Sequence, residues 1–217
     1  MLVDVETPVG LGRLQVSEAS EAVAVLLLGH GAGGGVEAAD LTGLASALPS
    51  RGIAVMRFEQ PWRVAGRRVA GPPASLDEAW RSALRVAVGL ADGLPFFVGG
   101  RSAGARVACR CFGPPARGIV ALAFPLHPPG RPARSRVSEL APVAWSALVI
   151  QGTRDPFGSA EEVASALSDA GTAAAAMVPL PDVGHALDGR SQSARQRSET
   201  LVAGIVDEVE AFIRQRL

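Results

Sequence analysis

The sequence predicts an α/β protein built on a mostly parallel central sheet with helices on both faces. Three observations predict it. Short apolar runs alternate with helix-like stretches along the chain. Several of the runs are apolar on successive residues, as strands covered on both faces are. The chain has 217 residues and 48% hydrophobic residues, enough for one sizeable core. We therefore expect residues 1–217 to form a single domain.

The elements follow in order. Residues 2–7 and 11–16 suit a short N-terminal hairpin. "AVAVLLLG" (22–29) is a buried strand ending in glycine, and 36–49 a helix. "GIAVMRF" (52–58) is the next strand. A Pro/Arg-rich loop leads to a long amphipathic helix over 76–92, with "SLDE" as its capping box. "PFFVGG" (95–100) is a strand, 103–112 a helix, and "GIVALAF" (118–124) a strand. "ALVIQG" (147–152) is a strand and "SAEEVASALSDAG" a helix with a glycine stop. "AAAAMVPL" (173–180) reads as the last strand and 194–216 as a final amphipathic helix.

Composition narrows the chemistry. Basic and acidic residues balance at 21 each, so no bulk charge favours nucleic acid or an anionic membrane. Every basic residue is arginine. A phosphate-binding P-loop and a Schiff-base enzyme both need a lysine, so both are excluded. Cys109 and Cys111 lie two apart on one predicted helix, where they are poorly placed to bridge. With three histidines, no cysteine–histidine zinc spacing occurs. We expect neither metal nor cofactor. The opening "MLVDVETPVG" carries acids where a signal peptide needs a basic and then an apolar stretch. No apolar run reaches the roughly 20 residues that span a bilayer. A cytoplasmic protein is the expectation, with no nucleic acid and no membrane partner. Composition leaves the oligomeric state open.

Sites in such sheets form beyond the carboxyl ends of the strands. There the sequence has "GHGAGGG", "RSAGAR", "TRDPFG" and "PDVGHALD". Ser102, Asp155 and His185 thus emerge from one sheet edge, in that order. Gly100-Arg101-Ser102-Ala103-Gly104 fits G-x-S-x-G between a strand and a helix, the context a nucleophile elbow requires. A hydroxyl at that bend meets free N–H groups and the positive end of a helix dipole. Serine needs a base to take its proton, and His185 is the candidate. Asp155 is the candidate to orient the imidazole and stabilise its protonated form. It also suits a turn or helix cap before Pro156. Asp182 is the alternative acid, three residues from His185.

Gly29-His30-Gly31-Ala32-Gly33-Gly34 also fits the dinucleotide string G-x-G-x-x-G. That fingerprint wants an acid about 20 residues on, at the end of the next strand. Glu59 falls late, and Arg57 occupies the strand end. A loop lending a backbone N–H to an oxyanion explains the same glycines together with the serine.

These motifs resemble those of the α/β-hydrolase superfamily. "RFEQPWRVAGRR", "GGRSAGARVACR" and "FPLHPPGRP" are similar to a lid-less group that includes a testis-expressed protein and a subunit of a histone-acetyltransferase complex. The resemblance covers roughly residues 20–190. It implies an α/β-hydrolase fold with Ser102 as nucleophile, Asp155 as acid and His185 as base. Ala32 and Ala103 would supply the oxyanion N–H groups. The connection over 125–146 is too short for a separate lid domain, so an open site is expected. Arg57, Arg67, Arg68 and Arg101, with His127, are candidates to gather there around an anionic acyl group; solvated loop arginines are the favoured alternative. The activity this implies is hydrolysis of small carboxylic esters or thioesters through an acyl-enzyme. The alternatives are a non-catalytic interaction module of the same fold, or an acyltransferase or peptidase on the same three residues.

Overall fold

The computed structural model describes residues 1–172, 175–187 and 192–217, with only the backbone for 192–195. Among the described residues eight strands form one sheet: β1 (Leu2–Thr7), β2 (Gly10–Ser17), β3 (Ala24–Gly29), β4 (Ile53–Glu59), β5 (Phe96–Arg101), β6 (Ala116–Leu122), β7 (Ala147–Gly152) and β8 (Ala176–Leu180). Their order is β1-β2-β4-β3-β5-β6-β7-β8. The first two form the predicted hairpin and join β4 antiparallel; every other pairing is parallel. Every residue of β3 and β7 is buried, as their unbroken apolar runs require.

Among the described residues seven α-helices flank the sheet, six between strands and the last after β8: α1 (Ala39–Ala47), α2 (Pro61–Val64), α3 (Pro73–Ala91), α4 (Ala103–Arg110), α5 (Val137–Leu140), α6 (Ala160–Asp169) and α7 (Gln192–Arg214). Strand side chains alternate between two cores. Val25, Leu27, Met56 and Val98 pack with Trp80, Val107 and Val163 of α3, α4 and α6. Leu26, Leu28, Val55 and Phe97 pack with Leu44 of α1 and Val209 and Phe212 of α7 on the other face. Both faces are covered, as predicted.

The differences have local causes. The helix expected from residue 36 starts at Ala39, because the glycine loop continues as a turn through Glu37 and Ala38 then has a non-helical ψ of 140°. The long helix starts at Pro73, not 76. Proline at the first helical position has its φ set for the helix and lacks an N–H that would be unsatisfied there. Ser75 therefore lies inside the first turn, its hydroxyl donating to Pro72 O at 2.8 Å, and "SLDE" forms no capping box. A capping box does form at Ser159 and Glu162, opening α6. The last strand covers only 176–180, and residues 173–174 of its expected start lie outside the described residues. Residues 123–136 run as loop from β6 to α5, so no lid domain enters there. Both cysteines are free, and burial pushes their thiols up, to about 12 for Cys109 and about 11 for Cys111.

Candidate active site

β5 lies in the middle of the sheet, bonded to β3 on one side and β6 on the other. It ends in a sharp reversal. Ser102 has φ 54° and ψ −115°, a conformation costly for a residue with a side chain. Its N–H is held by Leu122 O at 2.9 Å. The reversal drives α4 against the end of β3. A Cβ on Gly104 would lie 2.3 Å from Gly29 O, and one on Gly100 would lie 2.6 Å from the same oxygen. Both glycines of G-x-S-x-G are thus steric requirements. Ser102 precedes α4, where a serine commonly caps the helix, yet its side chain makes no capping bond.

Its partner is His185 instead. Ser102 Oγ lies 2.9 Å from His185 Nε2, and His185 Nδ1 lies 2.7 Å from Asp155 Oδ2. The Asp155 side chain is fully buried, whereas the imidazole keeps 20% of its surface exposed. The carboxylate accepts two more bonds: Phe157 N–H donates to Oδ1 at 2.8 Å, and Gln151 Nε2 to Oδ2 at 3.2 Å. The carboxylate needs the proton on Nδ1, which leaves the Nε2 lone pair facing the serine hydroxyl. The Phe157 ring covers the imidazole, with centroids 4.3 Å apart. Asp155 also bonds the turn after it, so its two expected roles coexist. Asp182 pairs with Arg154 at the surface and takes no part.

The glycine loop runs beside the serine. A Cβ on Gly31 would lie 3.4 Å from Ser102 Cβ. His30 opens the loop from a buried position, 3% exposed. Gln60 N–H donates to its Nε2 at 3.1 Å, and its Nδ1 lies 2.8 Å from Gly31 O, so the proton belongs on Nδ1. Burial pushes the His30 imidazole below its ordinary value, which suits this neutral tautomer. Ala32 and Ala103, the expected oxyanion pair, line one small cavity with Gly29, Gly31 and Gly104. A larger cavity of about 460 Å³ opens over Ser102 and His185. Its other walls are Gly31, Gly33, Gly34, Gly35, Ala38, Ala39, Ala186, Glu37 and Arg101. Among the described residues no group of three or more His, Cys, Asp or Glu is placed to hold a metal, and no helix is long and apolar enough to cross a membrane.

The arginines do not gather there. Arg57 donates to Val36 O and Gln15 Oε1. Arg67 and Arg68 are exposed on their loop and, like His127, do not line the cavity. Only Arg101 does, and its charge is committed: Nη1 donates to Asp40 Oδ2 at 2.9 Å, and Nη2 to His185 O. The candidate basic cluster for an anionic acyl group is absent among the described residues: Arg67 and Arg68 are exposed, as the favoured alternative of solvated loop arginines has it, and Arg57, Arg101 and His127 are used locally.

Asp40, Gln151, Phe157 and the His30–Gln60 contact were not anticipated from sequence. Gln151 carried a signal, since an amide in an otherwise apolar buried strand must bond something. Asp40 carried none, because its partner lies 61 residues away.

Solved structures with the same fold are numerous. An alpha-beta serine hydrolase homologue from Coxiella burnetii superposes with a TM-score of 0.76 at 16% identity, covering 96% of each chain. A putative alpha/beta hydrolase of unknown function from Agrobacterium tumefaciens gives 0.76 at 20% identity, covering 100% of this chain and 98% of that one. An a/b serine hydrolase without lid from Xanthomonas campestris gives 0.67 at 22% identity, covering 100% and 94%. No curated protein matches the sequence. At these identities the likeness establishes the fold. Sequence adds the family: residues 22–214 match the alpha/beta hydrolase domain, and the chain belongs to that family.

Proposed function

We propose that the protein is a serine hydrolase of small carboxylic esters or thioesters, with residues 1–217 acting as one domain. The observation that carries the reading is the unbroken chain Ser102 Oγ, His185 Nε2, His185 Nδ1, Asp155 Oδ2, at 2.9 and 2.7 Å. In this reading Ser102 Oγ attacks the acyl carbon while His185 Nε2 takes the hydroxyl proton. The negative charge formed on the carbonyl oxygen is stabilised by the N–H groups of Ala32 and Ala103. The C–O or C–S bond then breaks, and the leaving group takes the proton from His185. Water repeats the sequence on the acyl-enzyme and releases the acid. Asp155, buried and bonded on both oxygens, holds the imidazole in orientation and steadies the imidazolium that forms.

The cavity supports small, uncharged substrates. Its walls are mostly glycine and alanine, its Arg101 is paired, and Glu37 at its mouth pairs with Arg63. Burial raises the Glu37 carboxyl, but bonds from its own backbone and from Arg63 outweigh this and hold it below the ordinary range. The motifs that resemble the testis-expressed and histone-acetyltransferase-complex group support placing the chain beside those lid-less proteins.

The test is turnover of p-nitrophenyl acetate and labelling by a fluorophosphonate. Wild-type protein should be labelled at Ser102, and Ser102→Ala should lose at least about 10⁴-fold in kcat. Unlabelled protein without turnover would point to a non-catalytic interaction module.

A further inference from the structure

We propose that Arg101 is a positioning residue that sets the reach of His185 toward Ser102 by clamping the main chain of the histidine segment. The inference rests on the reading of Ser102, His185 and Asp155 as the catalytic group, and it extends it to two residues that touch no reacting atom.

The geometry is specific. His185 sits in a stretch, residues 181–187, that forms no helix or strand. Arg154 N–H holds it at Val183 O at 2.9 Å, and Asp155 holds the ring at Nδ1. Neither contact fixes the backbone of His185 itself. Arg101 does, through the bond from Nη2 to His185 O. Its Nη1 is anchored on Asp40 Oδ2, and Asp40 Oδ1 in turn accepts the Leu41 N–H at 2.9 Å in the first turn of α1. The guanidinium is a rigid planar fork, so two bonds on separate nitrogens fix it in orientation as well as place. Arg101 also directly precedes Ser102. Base and nucleophile are therefore referenced to one point on the backbone.

The burial is informative. The side chains are 12% exposed for Arg101 and 3% for Asp40. Removing two charges from water is costly, and a buried pair often stabilises no better than apolar residues of the same size. Such a pair is better explained by the orientation it imposes than by stability. No anionic substrate is needed to account for it, since the charge already has its partner.

The test uses the full chain and p-nitrophenyl acetate. Replacing Arg101 alone strands a buried carboxylate, so the main variant is the double change Arg101→Met with Asp40→Asn, which removes both charges. It should fold, with an unaltered far-UV spectrum and a cooperative urea transition. Its kcat should fall about 100-fold, the cost of a misplacement near 1 Å, with KM within about twofold. Asp40→Asn alone keeps the bond to His185 O and should lose about tenfold or less. Arg101→Lys, which cannot span both partners, should resemble the double variant more than the wild type. Millimolar guanidinium chloride, but not sodium chloride, should restore part of the kcat of Arg101→Ala, a rescue that a purely structural role would not give.

A folded double variant with wild-type kcat would overturn the proposal. So would a loss confined to KM for an anionic ester such as p-nitrophenyl succinate, which would make Arg101 a substrate contact. Wild-type protein with neither labelling nor turnover would remove the hydrolase reading, and the clamp with it. Turnover in the wild type beside an unimpaired double variant would remove the clamp alone.

Discussion

Two glycine-rich turns meet at the sheet edge and use glycine for opposite reasons. At the end of β5, Gly100 and Gly104 are glycine because backbone stands where a Cβ would go. At the end of β3, a Cβ on Gly33 or Gly34 would meet nothing within 4 Å, and the space beside them belongs to the cavity of about 460 Å³. The first turn is a packing joint, and the second is a wall kept bare. Strings of glycine that look alike in sequence thus divide into those that let protein approach protein and those that leave room for a ligand.

The largest effect expected from this contrast is at Gly104. Gly104→Ala forces a carbon against Gly29 O and should cost about 3 kcal/mol of stability in urea denaturation, with a matching loss of turnover as the elbow shifts. A cost near zero would mean the joint is looser than its distances indicate.

His30 gives a smaller effect that depends on pH. Its folded-state pKa is depressed, chiefly by burial, so the unfolded chain binds the extra proton first. The stability this neutral histidine contributes is complete above the unfolded value near 6.5 and is lost as pH falls below it, toward the lower folded value. Urea midpoints should drop more steeply toward about pH 5 in the wild type than in His30→Gln, which keeps an acceptor for Gln60 N–H without a proton to gain. Parallel curves would show that the loop is indifferent to this charge.

The smallest effect belongs to the bare wall. Gly33→Ala should leave stability unchanged or raise it by about 0.5 kcal/mol, through lower entropy of the unfolded chain. Gly33→Leu should reduce turnover of bulky esters relative to acetate, measured as the ratio of kcat/KM values, because it fills space at the cavity.

What the sequence makes legible follows the same division. The elbow can be read because two periodicities, an apolar strand and an amphipathic helix, meet at Ser102, and the topology then forces Asp155 and His185 to the same edge. The parallel sheet and its hairpin are legible for the same reason. The arginines are not. An arginine's reach is longer than any local pattern, and its partners, Asp40 for Arg101 and Val36 O for Arg57, are chosen by tertiary contact. The start of α3 differs from expectation because a good serine–glutamate spacing competes with a proline two residues earlier, and the proline prevails. Asp155 can be read as a turn residue or as the orienting acid, and the structure shows one carboxylate with room for both sets of bonds.

The central position of β5 has a consequence for how the molecule opens. Its amides at Val98 to Gly100 lie between two hydrogen-bonded neighbours, whereas β1 is an edge strand paired only to β2. In deuterium oxide the outer hairpin should exchange through local fraying, while the strand beneath the nucleophile should exchange only when the whole sheet separates. On that expectation the bend at Ser102 is tied to the slowest-opening part of the protein, and its unfavourable backbone angles should relax only on global unfolding.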